Sequence, residues 1–142
     1  MLVKLDKKKT IQIKGSESVA KLVKKILAKE HEFTRDKEQM FAIGLTQSNH
    51  VKYIDMVSMG SLRSTIAEPR EVFRMAVHKG VASIIIAHNH PSHNCQPSNT
   101  DISTTKELVA AGKILRIKIL DHLIVCEEGY YSFADEGLLL GK

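Results

Sequence analysis

Within fourteen residues the chain reads His88-Asn89-His90-Pro91 and then Ser98-Asn99-Thr100-Asp101. Imidazole and carboxylate are donors that zinc takes at ~2.0–2.2 Å, and three such ligands leave a fourth position open for water. Side chains two apart on a strand share a side, so His88 and His90 can present both rings to one ion. Asp101, in the first turn of the following helix, can fold back over the strand end as the third ligand. An ion with an open position acidifies water and polarises a carbonyl, which is hydrolytic rather than structural zinc chemistry. A plainer role holds alongside this one: Ser98 followed three residues later by an acid is a helix N-cap with its reciprocal partner. His93 and Cys95, between the two segments, also carry competent donors. A thiolate tends to close such a site, however, and both read as loop residues near its mouth.

A site of this kind needs a rigid strand end with a helix start beside it. Residues 81–87 are apolar apart from Ser83 and run straight into His88, which predicts a central strand buried on both faces. From Ser98 a helix is predicted to about Ala111, stopped by Gly112, and residues 116–126 return as a strand. Upstream, Val19, Leu22, Val23, Ile26 and Leu27 predict a helix from Ser16 or Ser18 to near Glu30. Residues 40–45 and 51–59 read as a hairpin, and Pro69 opens a helix that runs to about Lys79 and ends at Gly80. A last strand is expected over 130–133 and a terminal helical turn over 134–140. In residues 1–14, Val3 and Leu5, then Ile11 and Ile13, flank Lys7-Lys8-Lys9 and suggest a small basic edge hairpin. The alternation predicts one α/β domain over residues 1–142, a mixed central sheet flanked by helices with the site at the end of its middle strand.

Composition narrows the function classes. At 43% hydrophobic and 26% charged residues the chain is far from the disordered signature. The net charge of +5 would favour an acidic partner such as nucleic acid, yet the excess lies in lysine runs without interleaved aromatic residues to stack bases. No segment reaches the ~18 consecutive apolar residues of a membrane span. Two cysteines and no apolar leader point to a reducing, cytoplasmic setting rather than to a disulfide framework. Exposed strand edges leave a dimer open.

The pattern His-x-His, seven residues, Ser, two residues, Asp resembles the JAMM motif of the JAB/MPN metalloprotease superfamily, whose fold is similar to that of the cytidine deaminases. Pro69-Arg70-Glu71-Val72-Phe73, His88 to Ser92, Leu120-Asp121-His122-Leu123-Ile124 and Tyr131-Ser132-Phe133 resemble its RadC-like branch, over roughly residues 16–140. The resemblance implies one zinc ion on His88, His90 and Asp101, with Ser98 stabilising the oxyanion. It also implies a general base at Glu38, just before the strand upstream of the His pair. Taken as residues alone, Glu38 is one of a solvated charged run, and Glu30, Glu32, Glu68 and Glu71 remain rivals for the role. Asp121 and His122 read equally well as hydrogen-bond support for the site or as a satisfied pair within a strand. The chain departs from the RadC-like pattern at Glu68, where His is usual, and at His93, where Gly is usual. It is also expected to lack the helix-hairpin-helix region of longer members.

Three functions of different kind follow from this. The first is a zinc hydrolase of a peptide or isopeptide-like amide, acting on a peptide or protein. The second is a DNA-repair-associated binding or accessory protein, which the family's traditional label and the basic balance suggest. The third is a scaffold without catalysis. Zinc-dependent deamination is disfavoured because the Pro-Cys-x-x-Cys ligand pair is missing.

Overall fold

The computed structural model describes residues 1–5, 10–30, 36–60 and 67–139. In chain order these form α1 (Ser16–Ala28), β1 (Glu38–Leu45), β2 (Val51–Gly60), α2 (Pro69–Lys79), β3 (Ser83–Asn89), α3 (Asn99–Leu115), β4 (Lys118–Cys126) and β5 (Gly129–Ser132). The five strands make one sheet in the order β2-β1-β3-β4-β5. Neighbours are antiparallel except β3 and β4, which run parallel with α3 as their crossover. This is the expected α/β domain with a mixed sheet and β3 at its centre.

Side-chain alternation splits the core between the two faces. Phe41, Ile43, Ile85, Ala87, Leu123 and Val125 pack with Val19, Leu22 and Val23 of α1. Met40, Ala42, Ile84 and Ile86 pack on the other face with Phe73 of α2 and Leu108 of α3. Strand β3 is therefore covered on both sides, which its continuous apolar run requires. Pro69 opens α2, and Gly80 ends it in the left-handed conformation with φ 69°.

Four details depart from the sequence expectation. Strand β3 begins at Ser83, two residues into the apolar run, because its pairing with β1 and β4 starts there. The two arms of the N-terminal segment do not pair with each other; both lie antiparallel along β2, with bridges at Leu2–Asp55 and Gln12–His50. Strand β2 would otherwise be an open edge, and pairing there lets Val3, Leu5, Ile11 and Ile13 join the α1-side core. The Lys7-Lys8-Lys9 turn lies outside the described residues. The terminal turn spans residues 133–137 rather than 134–140, with the Glu136 N–H donating to the Ser132 carbonyl at 3.1 Å and the Leu138 N–H to the Phe133 carbonyl at 2.8 Å.

The fourth departure is Gly112, which does not stop α3. The helix runs on to Leu115 and is capped by Arg116 in the left-handed conformation, φ 60°. Gly112 is there for space: a Cβ would run into the Ile117 carbonyl oxygen and come within 3.3 Å of the Phe73 ring. In an exposed helix Gly→Ala gains about 1 kcal/mol. Gly112→Ala is expected to reverse that sign and destabilise by about 1–3 kcal/mol, the cost of overpacking, read from the urea midpoint at unchanged slope.

Candidate metal centre

Glu38, His88, His90 and Asp101 converge, each offering one donor atom, with all four donors within 4.8 Å of one another. His88 Nε2 lies 3.2 Å from His90 Nε2, 3.4 Å from Asp101 Oδ1 and 3.7 Å from Glu38 Oε1. His90 Nε2 lies 3.2 Å from Asp101 Oδ2. Donors held ~2.0–2.1 Å from one tetrahedral ion stand roughly 3.3–3.4 Å apart. The two imidazoles and the aspartate match that spacing, and their N/O donor set suits zinc and other divalent ions of the same class.

Strand register explains the convergence. Met40 pairs with His88 across β1 and β3, so Glu38, two residues before Met40, starts β1 on the side from which His88 and His90 project. Asn89 locks this register: its Oδ1 accepts the Gln39 N–H at 2.6 Å and its Nδ2 donates to the Lys37 carbonyl at 3.1 Å. The backbone is thereby held on both sides of Glu38. Asp101 arrives from the start of α3, where Ser98 caps the helix. The Asp101 N–H donates to Ser98 Oγ at 3.0 Å, and the Ser98 N–H donates to Asp101 Oδ2 at 2.8 Å. Capping and the donor cluster thus share one carboxylate, as the sequence allowed.

Each ring is also held from behind. His90 Nδ1 lies 3.1 Å from the Asn94 carbonyl, which can only accept, so Nδ1 donates and Nε2 faces the cluster. His88 Nδ1 meets His122 Nε2 at 2.7 Å, and His122 Nδ1 meets Thr105 Oγ1 at 2.6 Å. His122 stacks on Phe133, centroids 4.7 Å apart. The Asp121–His122 pair therefore divides. His122 reaches the site, while Asp121 accepts from the Ser132 hydroxyl and from the His122 and Ala134 N–H groups.

Burial alone would push the Asp101 carboxyl up, but the His88 and His90 imidazoles beside it and the Ser98 N–H outweigh it and hold it well below the usual carboxylate range. The bond to Asp101 lifts His90 above the ordinary imidazole value against the opposing effect of burial, with the Asn94 carbonyl and Glu38 adding to the lift. A proton shared by His90 and Asp101 occupies the place a metal ion would take, so the two compete. Burial, with His88 alongside, pushes His122 well below the ordinary value and keeps it neutral. Burial likewise raises Asp121, opposed by its three hydrogen bonds.

The remaining candidates fall elsewhere. Glu30 accepts from Gln39 Nε2 at 2.8 Å, Glu68 is the residue before α2, and Glu71 pairs with Arg74 at 3.8 Å. Glu32 lies outside the described residues. His93 is exposed and sits 3.5 Å from Glu127 and 3.6 Å from Glu128, beyond β4. Cys95 is joined to Cys126 in a disulfide, which corrects the reading of the two cysteines as evidence against such a bond. The end of β4 brings their Cα atoms to 5.3 Å, within bridging range, a proximity that a sequence separation of 31 does not reveal. The bond fastens the loop beside Asn94. Sequence reasoning missed Asn89, Asn94 and Thr105; only Asn89, between the two histidines, carried a positional hint.

A cleft of about 520 Å³, bordered by Lys24 and Leu27 of α1 and by Pro91 and Ser92, has His90 of the four cluster residues in its wall. A larger cleft, about 1020 Å³, lies between the end of α3 and the start of β4 and contains none of the four cluster residues. No described helix is long and apolar enough to cross a membrane.

Residues 13–138 match the RadC-like JAB domain family. A UPF0758 protein of Moorella thermoacetica is 46% identical over 104 residues, covering 73% of this chain and 45% of the relative. UPF0758 proteins of Syntrophomonas wolfei and Chlorobaculum tepidum are 42% and 36% identical, covering 89% and 91% of this chain and 54% and 56% of theirs. The chain spans about half the length of the curated relatives it matches. On the match over 13–138 and these identities, the chain belongs to the RadC-like JAB domain family.

Proposed function

We propose that the protein is a zinc-dependent hydrolase of a peptide or isopeptide-like amide bond, with zinc on His88, His90 and Asp101. The observation that carries this reading is the convergence of two imidazoles, an aspartate and a second, separate carboxylate from three different elements. Three of these donors stand at the mutual spacing of ligands to one ion. Bound zinc would supply Lewis acidity, polarising a substrate carbonyl and making water a competent nucleophile near neutral pH.

The chain's own groups supply the rest. Glu38, with Asn89 holding the backbone on either side of it, is placed to take a proton from the attacking water and hand it to the leaving nitrogen. Ser98 accepts the Asp101 N–H through its oxygen, which leaves the hydroxyl proton to donate to the developing oxyanion. The cleft beside α1 has His90 in its wall and, at about 520 Å³, falls in the size range of ligand pockets.

Metal analysis of protein purified without a chelating tag should find near one zinc per chain, and His88→Ala should lose it. No metal in the wild-type protein even after zinc is added back would overturn the hydrolase reading. Glu38→Gln should keep the zinc and lose at least about 100-fold in turnover on a cleavable amide, the contribution of a positioned general base. Full activity in that variant would remove Glu38 from the role.

A further inference from the structure

Thr105 and His122 lie behind His88, both buried, at 2% and 1% exposure. Together they set the direction of a chain of hydrogen bonds. The Asp101 carbonyl can only accept, and Thr105 Oγ1 lies 2.7 Å from it, so the single hydroxyl proton of Thr105 is committed there. What remains on Thr105 Oγ1 is acceptor capacity, and the atom facing it at 2.6 Å is His122 Nδ1, which must therefore carry a hydrogen. A neutral imidazole has one N–H, so His122 Nε2 is an acceptor. The group facing it at 2.7 Å, His88 Nδ1, must in turn donate. His88 is then left with its lone pair on Nε2, the atom that faces Glu38, His90 and Asp101.

We infer that Thr105 and His122 are positioning residues that lock His88 in the Nδ1–H tautomer and so present Nε2 as a ligand lone pair. The proposal rests on the metal reading above for its purpose, though not for its geometry. Because the relay begins at the backbone of Asp101, it couples the ligand on α3 to the ligand on β3. The two histidines reach the same outcome by different routes, His90 directly through the Asn94 carbonyl and His88 through two buried side chains. A ligating imidazole fixed this way is oriented and more basic, and losing such support typically lowers metal affinity about 10- to 100-fold.

The first test is nitrogen-15 NMR of the histidine rings in metal-free wild-type protein at mildly alkaline pH. Protonation of both His88 and His122 at Nδ1 is expected. His88 protonated at Nε2, or a cationic His122, would overturn the relay without recourse to any variant. The second test is zinc affinity by chelator competition. Thr105→Val, which keeps the shape and removes the hydroxyl, should weaken zinc binding about 10- to 100-fold and mix the His88 tautomers, while Thr105→Ser should restore both. Unchanged affinity and tautomer in a folded Thr105→Val protein would also overturn it. Wild-type protein that binds no zinc would sink the metal reading alone, since the ring spectrum judges the relay independently.

Discussion

Two adjacent parallel strands cannot be joined by a tight turn; the chain must leave the sheet, cross over one face and return. In this protein that demand falls on β3 and β4, and the crossover is α3. The consequence is that the end of β3, the beginning of α3 and the middle of β4 come to one place. His88 comes from the first, Asp101 from the second and His122 from the third. Pairing of β1 with β3 on the other side then delivers Glu38.

The cluster is graded from dry to wet, and its chemistry depends on that gradient. The His88 side chain is 1% exposed, whereas those of His90, Asp101 and Glu38 are 17%, 14% and 18% exposed. Buried polar groups need partners, and here the partners come in two sets. One set lies behind the cluster and is internal to the fold: His122, Thr105 and the backbone bonds of Asn89. The other set is the cluster itself, whose four ligand atoms face one another across 3.2–3.7 Å. The helix start contributes here because Asp101, the acidic partner of its capping serine, is also one of the four cluster residues.

The loop after β3 has to be irregular, since it leaves a buried strand and must return over the same strand end as a helix. The Cys95–Cys126 disulfide fastens it to the end of β4, and His93 lies 3.5 Å from Glu127 and 3.6 Å from Glu128 in the turn that follows. This places the Asn94 carbonyl against His90 and keeps the cleft wall formed by Pro91 and Ser92 in place. His93 thus lies on the side of the loop that faces the β4–β5 turn, away from the donor cluster.

Much of the protein was legible in its residues because local physics dominates where the pattern is strong. The helical spacing of Val19, Leu22 and Val23, the Pro69 start and Gly80 stop of α2, and the apolar run of β3 each report burial periodicity, which the chain carries by itself. The same holds for His88, His90 and Asp101, whose separations are short enough for strand and helix geometry to bring them together. Sequence pattern misled at Gly112 and in the N-terminal segment. A glycine can end a helix or admit a neighbouring carbonyl, and two apolar arms can pair with each other or with a third strand, with the same local signature. Only the tertiary structure decided which residues from distant segments meet: Asn89 with residues 37 and 39, Cys95 with Cys126, and Thr105 with His122. The reason is physical. Such contacts are set by strand order and register, which depend on how the whole core closes and leave no periodic trace in the chain.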